Sequence, residues 1–217
     1  MRKVESLEEA KAIFARIKPP LSEKGLSLLG VAFDIAEGKL DVHDGDLRSR
    51  KPLSLKAPLV VDGDLDVDGW LEDQVGLDHN VVFVTGDLRC RGYIGEAVMV
   101  VLGSLHCKGD LWLMSHGDNT LYIRGDLRGG IIASGGHWLN LPGKLSVKAV
   151  VGGLQPAGKT QWKPAYQHQV LHPELFSLDV SKSEMKEMEA DDIDDCCELK
   201  EKKIISWIKK GRSLGKK

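Results

Sequence analysis

The chain of 217 residues carries 30 basic and 32 acidic side chains, a net charge of -2, so no overall field recruits nucleic acid or an anionic membrane. Glycine is abundant (24) and aromatics are sparse (6%), which favours tight turns repeated many times over a large mixed core. The four cysteines, Cys90, Cys107, Cys196 and Cys197, show no C-x-x-C spacing, and no stretch is long and apolar enough to span a bilayer.

The N-terminal stretch MRKVESLEEAKAIFARIK is charged throughout and has no apolar h-region. It is therefore no secretory signal, and a cytoplasmic protein with reduced thiols is expected. Residues 5–18 read as an amphipathic helix. Ser6 and Glu9 have capping-box spacing, and Leu7, Ala10, Ile13, Phe14 and Ile17 form an apolar stripe that Pro19 and Pro20 end. A helix with one apolar face must cover something, and the first coil of a repeat array is the natural candidate. Residues 1–25 are read as this N-terminal helical cap.

From residue 26 to 151 the texture is repetitive. Gly45-Asp46-Leu47 returns as Gly63-Asp64-Leu65, Gly86-Asp87-Leu88 and Gly125-Asp126-Leu127, with looser copies at Gly103-Ser104-Leu105 and Gly143-Lys144-Leu145. The glycine-to-glycine steps are 18, 23, 17, 22 and 18 residues. Such a period, with alternating β-branched residues, predicts an all-β fold: a right-handed parallel β-helix of about six coils with helical caps at both ends. Aligned on the first glycine, His43, Val61, Val84, Val101, Ile123 and Leu141 stand two residues before it. The six leucines stand two after, and Ser49, Val67, Cys90, Cys107, Gly129 and Val147 four after. These share one inward parity, and the aspartates fall on the outward one. A second glycine, at Gly69, Gly92 and Gly109, is expected at a corner with positive φ, after which Leu71, Ile94 and Leu111 resume the inward row.

The longer connections carry His79, His116 and His137, with Trp112 and Trp138 nearby. In a solenoid such insertions often form the working surface, so these five residues are candidates for partner binding. Arg89, Arg91, His106, Lys108 and Arg128 share outward parity on neighbouring coils, and Arg89, Arg91, Lys108 and Arg128 are the second candidate set. Such a stripe reads first as a solvated face and next as a surface for an acidic protein; without interleaved aromatics, nucleic acid comes a distant third.

Residues 152–217 lose the period. They read as an irregular segment to 174, then two short helices across an acidic hinge from Glu189 to Asp195. The second helix, over 198–210, places Leu199, Lys203, Ile204, Trp207 and Ile208 on one face, suited to capping the last coil or docking on the flank.

No residues commit the chain to catalysis. Gly153-Leu154-Gln155-Pro156-Ala157-Gly158-Lys159-Thr160 matches the phosphate loop literally, yet Gln161-Trp162-Lys163-Pro164 is no first helical turn. The aspartate column lacks the ligand count of a calcium β-roll, and outward arginines explain it better. His168 and His172, four apart, have no clear third ligand. The acidic run beside Cys196-Cys197 argues against a reactive thiolate. No catalytic residue, cofactor or metal is expected, and a carbohydrate- or nucleotide-active β-helix enzyme would need clustered inward carboxylates that the rows lack.

The repeats resemble bactofilins, polymer-forming bacterial cytoskeletal proteins, in the stretch Val60-Val61-Asp62-Gly63-Asp64-Leu65-Asp66-Val67-Asp68-Gly69. The likeness covers about residues 40–150 and implies a bare solenoid that polymerises end to end without nucleotide. Helices at both ends depart from that pattern. The texture also resembles bacterial GDL-repeat proteins that accompany toxin genes, which implies an immunity role. The leading expectation is a non-enzymatic protein-binding solenoid, an inhibitor or immunity partner of a toxin; the alternative is a bactofilin-like scaffold that self-associates.

Overall fold

The computed structural model describes residues 2–4, 12, 40–73, 81–114, 120–157, 161–180 and 183–216. The chain is a parallel β-solenoid of about six turns with few helices. Each turn gives one short strand to each of three sheets. Sheet 1 contains Leu40–Asp44, Leu59–Asp62, Val81–Val84, Val98–Val101, Thr120–Ile123, Trp138–Asn140 and Gln155–Ala157. Sheet 2 contains Leu47–Ser49, Leu65–Val67, Leu88–Cys90, Leu105–Cys107, Leu127–Arg128 and Leu145–Ser146. Sheet 3 contains Leu53–Ser54, Trp70–Glu72, Gly92–Gly95, Leu111–Leu113, Ile131–Ser134 and Ala149–Gly152. The last strand of sheet 1 lies beyond the expected end at 151.

The inward rows are the predicted ones. Val61, Val84, Val101 and Ile123 are fully buried, as are Leu65, Leu88, Leu105 and Leu127, while Leu47 and Leu145 in the end coils are only partly covered. Cys90 and Cys107 face each other across one register step as buried free thiols.

The Gly-Asp-Leu corner has two physical causes. Successive coils approach so closely that a Cβ at Gly63 would lie 2.5 Å from the Gly45 carbonyl carbon, and one at Gly125 2.5 Å from Ser104 Oγ. Each aspartate then accepts the corner amide of the next coil. The Asp64 N–H donates to Asp46 (2.8 Å), Asp87 N–H to Asp64 (2.8 Å), Ser104 N–H to Asp87 (2.8 Å) and Lys144 N–H to Asp126 (3.0 Å). Ser104 does the same with its hydroxyl, accepting from Asp126 N–H at 3.0 Å. A side-chain oxygen thus satisfies backbone donors at a sharp corner.

Two expectations are corrected. Ile94 points outward, because Tyr93, not Ile94, pairs with Leu71 and Leu111. The third coil is one residue shorter after its glycine: Leu65 and Leu88 are register partners, as are Leu71 and Tyr93. Nor do Gly69, Gly92 and Gly109 adopt positive φ, which falls instead at Gly45, Gly136, Gly152 and Gly211. Gly109 is small because a Cβ there would sit 2.5 Å from the Arg91 carbonyl oxygen, and Gly92 because one would meet Ile208 Cγ2 at 2.6 Å.

That contact belongs to the C-terminal segment. Helix α1 (Gln167–Val170) packs on the last strand of sheet 3, and α2 (Ala190–Asp195) packs on α1. Helix α3 (Glu201–Lys209) lies along the flank of sheet 3. Its Ile204, Trp207 and Ile208 bury themselves against Ile94, Trp112 and Ile131, each worth roughly 1.5–3 kcal/mol. Asp110, itself buried, accepts the amides of Ile131 and Leu214, both at 2.6 Å, and so ties the tail to the solenoid. Helix α3 therefore docks on the flank. The acidic hinge is itself helix α2, with Asp191 and Asp192 in the first turn, where the helix dipole favours them. Cys197–Leu199 pairs antiparallel with Phe176–Leu178.

Both ends of the array carry other chain. Arg2–Val4 pairs antiparallel with the first strand of sheet 1. At the far end Trp162 packs against the core, Ala165 N–H donates to Val150 at 2.8 Å, and Pro156 lies in the terminal strand of sheet 1. The helix expected over 5–18 lies outside the described residues, apart from Ala12, which is helical.

Candidate functional site

Sheet 2 builds its outer face from one cross-strand column: Arg48, Asp66, Arg89, His106, Arg128 and Ser146. Unlike charges stacked about 4.8 Å apart attract, and the arginines are held by the aspartates around them. Arg48 pairs with Asp66 (3.2 Å), Arg89 with Asp64 (2.8 Å) and Asp87 (2.6 Å), Arg91 with Asp68 (2.5 Å), and Arg128 with Asp126 (3.3 Å). The Arg89 hydrogen bond holds the Asp64 carboxyl below its ordinary range, and Arg89 itself is raised in return. Asp126 is lowered first by the Lys144 amide and then by Arg128.

Beside this column runs a second one at the corner between sheets 2 and 3. Five residues after the first glycine of each turn stand Arg50, Asp68, Arg91, Lys108, Gly130 and Lys148. A groove of about 650 Å³ is lined by Arg48, Arg50, Asp66, Asp68, Arg89, Arg91 and Lys108. A second, of about 520 Å³, shares Arg91 and Lys108 and adds Lys148, Arg212 and the end of helix α3. The one carboxylate lining this second part is Asp110, already committed to two amides. Lys108 and Lys148 are exposed and form no ion pair among the described residues. Arg212 lies over the Trp207 ring at 3.7 Å. The two parts share Arg91 and Lys108 and form one cationic groove, with Asp66 and Asp68 pairing arginines in the first part and Asp110 the carboxylate of the second.

Of the predicted residues, Arg89, Arg91 and Lys108 line this groove, and Arg128 stands exposed beside it. The others do not join them. Trp112 is 1% exposed beneath the C-terminal segment, and its Nε1 has no hydrogen-bond partner there. His137 is fully buried, and burial lowers its pKa to about 4 against a smaller raising effect of the Ala97 backbone. Neither reaches an incoming protein. Trp138 is half-buried on sheet 1, and His79 and His116 lie outside the described residues. Arg50, Lys148 and Arg212 were missed. For the first two the signal was present, since they share the register of Arg91 and Lys108.

The literal phosphate loop is not built as one where it is described. Leu154 is in the core, and Gln155–Ala157 is an extended strand whose Gln155 N–H donates to His137 at 2.8 Å. Residues 158–160 lie outside the described residues. One inward carboxylate was also missed. Asp73 is buried, accepts the amides of Glu96 (2.7 Å) and Ala97 (3.3 Å) and the Tyr93 hydroxyl, and burial raises it to about 6. It is closed off inside the coil stack. Burial first, and then the Asp194 carboxylate, raise the Cys197 thiol to about 11.

No family model, curated protein or solved structure matches this chain.

Proposed function

We propose that the chain is a discrete, non-enzymatic binding solenoid that docks an acidic protein segment in the groove over Arg89, Arg91, Lys108, Lys148 and Arg212. The observation that carries this reading is the cationic half of the groove, where exposed Lys108 and Lys148 form no ion pair among the described residues. Exposed cations of this kind steer an acidic partner and set its register. The resemblance to repeat proteins that accompany toxin genes makes a bacterial toxin the partner class, and the chain its inhibitor.

Added chain at the two ends of the array supports this reading over a bactofilin-like scaffold. End-to-end growth needs bare terminal strands, and here Arg2–Val4 pairs with the first strand of sheet 1 while Trp162 packs on the core and Ala165 bonds to Val150 at the other end. Light scattering against concentration separates the two. A mass that stays constant is expected; a mass that grows with concentration into filaments would overturn the proposal in favour of the scaffold.

A further inference from the structure

The C-terminal segment brings three unlike donors together away from the groove. His168 on α1, Asp194 at the end of α2 and Cys197 in the following strand each offer an atom, and all three atoms lie within 4.8 Å of one another. The side chains of His168 and Asp194 are only 12% and 18% exposed. In a tetrahedral site with bonds of about 2.0–2.3 Å, ligand atoms stand about 3.5 Å apart, so sub-ångström shifts would close the set on an ion.

From this geometry we propose that His168, Asp194 and Cys197 form a site for a zinc-class divalent cation. Sulfur, imidazole and carboxylate in one cluster suit a borderline-soft ion and not magnesium or calcium, which demand oxygen ligands, and the Cys197 thiol gives up its proton to solvent as the ion binds. Outer-shell support is already in place. Asp194 Oδ1 accepts the backbone amides of Gln167 (2.5 Å) and His168 (3.3 Å) and lies 3.2 Å from His168 Nδ1, leaving Oδ2 for the ion. The Tyr166 ring stacks on His168 at 5.8 Å. Such contacts hold the ligand side chains in place and are part of a working site. The three donors leave a fourth position for water.

The segment also has reason to need a staple. Helix α1 has four residues and none buried, and α2 has six with Ile193 its buried apolar residue. Helices this short are not stable on their own. An ion held between residues 168 and 197 closes the loop that contains both helices, and ligand binding to the folded form stabilises it by mass action.

Titration of the full-length protein with Co²⁺ and Zn²⁺ tests the site. One Co²⁺ should bind with a thiolate-to-cobalt charge-transfer band and tetrahedral d–d bands, both lost on adding Zn²⁺. Cys197→Ser should abolish the charge-transfer band and weaken Zn²⁺ binding by more than the roughly 10–100-fold that loss of an outer-shell partner costs. His168→Gln should weaken binding similarly, whereas Cys196→Ser should keep the band and the affinity. No charge-transfer band in the wild-type protein, or a band that survives Cys197→Ser, would overturn the site. Circular dichroism and the melting curve of each variant, taken without metal, show that the fold persists, because neither Cys197→Ser nor His168→Gln removes the Asp194 caps.

Discussion

At the scale of single residues, the aspartate of the repeat does two things at once: it caps the next coil's amide and it anchors an arginine. Substitution at Asp87 separates them, since Asp87 accepts from Ser104 N–H and pairs with Arg89. Asp87→Ala leaves a part-buried amide without its acceptor and should cost about 1 kcal/mol. Asp87→Asn keeps the acceptor oxygen and should cost less than half of that in chemical denaturation. Equal losses would assign the position to charge alone. Sequence alignment made the leucine and the glycine legible, because a stacked column repeats its chemistry. The amide cap was not legible, since it links residues 17 to 23 apart through backbone direction, which no side-chain pattern displays.

Two buried groups set the pH dependence. Asp73 rises from 3.8 to about 6, so the folded chain holds its proton where the unfolded chain does not. Stability from this group is full below pH 3.8 and is lost as pH rises through about 6. His137 falls from 6.5 to about 4, so the unfolded chain binds the proton that the fold excludes. Its contribution runs the other way, increasing from about pH 4 to 6.5. At 1.36 kcal/mol per unit, each is worth roughly 3 kcal/mol, and they oppose each other in the same window. The wild type should therefore show nearly level stability from pH 4 to 6.5. Asp73→Asn should become more stable across that window as pH rises, and His137→Leu less stable. Urea midpoints at fixed pH values read both slopes; parallel curves for all three proteins would refute the assignment.

At the scale of elements, the interface between α3 and sheet 3 depends on a missing side chain. Gly92 leaves the space that Ile208 fills. Gly92→Val should therefore cost about 1–3 kcal/mol by overpacking, and Ile208→Ala should cost a few kcal/mol by opening a cavity. The double variant should lose less than the sum, with a coupling energy of about 1 kcal/mol measured by a thermodynamic cycle. Strict additivity would mean that α3 does not pack there. The helix face itself could be read from Ile204, Trp207 and Ile208. Its docking surface could not, because outward Ile94 and Trp112 become apolar cover only once a segment some hundred residues later is placed over them. The same fact withdraws Trp112 from the candidate site. A tryptophan on the outside of a β-helix suggests a binding platform until its partner in the same chain is known.

At the scale of the whole molecule, the coil stack and its period were written in the repeat, while the groove was written in its margin. In the corner column Arg91 and Lys108 put like charges on consecutive coils, while Asp68 separates Arg50 from them and Gly130 separates Lys148. Its carboxylate neighbours cluster toward Asp64, Asp66 and Asp68, so the charge is uneven along the solenoid axis and the cationic half faces the C-terminal tail. Helix α3 closes that half on one side through Ile208, and Glu72 holds Lys209 at 2.5 Å. An occupant would thus meet fixed solenoid strands on one wall and the docked tail on the other.

The most direct measurement of the central claim is a titration with a polyglutamate peptide, followed by fluorescence anisotropy at rising salt. The wild-type chain should bind it at low salt and lose affinity as the screening length falls to about 10 Å near 0.1 M. The paired variant Lys108→Glu with Lys148→Glu should bind at least tenfold more weakly while melting at the wild-type temperature. Equal binding by that variant, or equal binding of an uncharged peptide of the same length, would contradict the groove as the docking site.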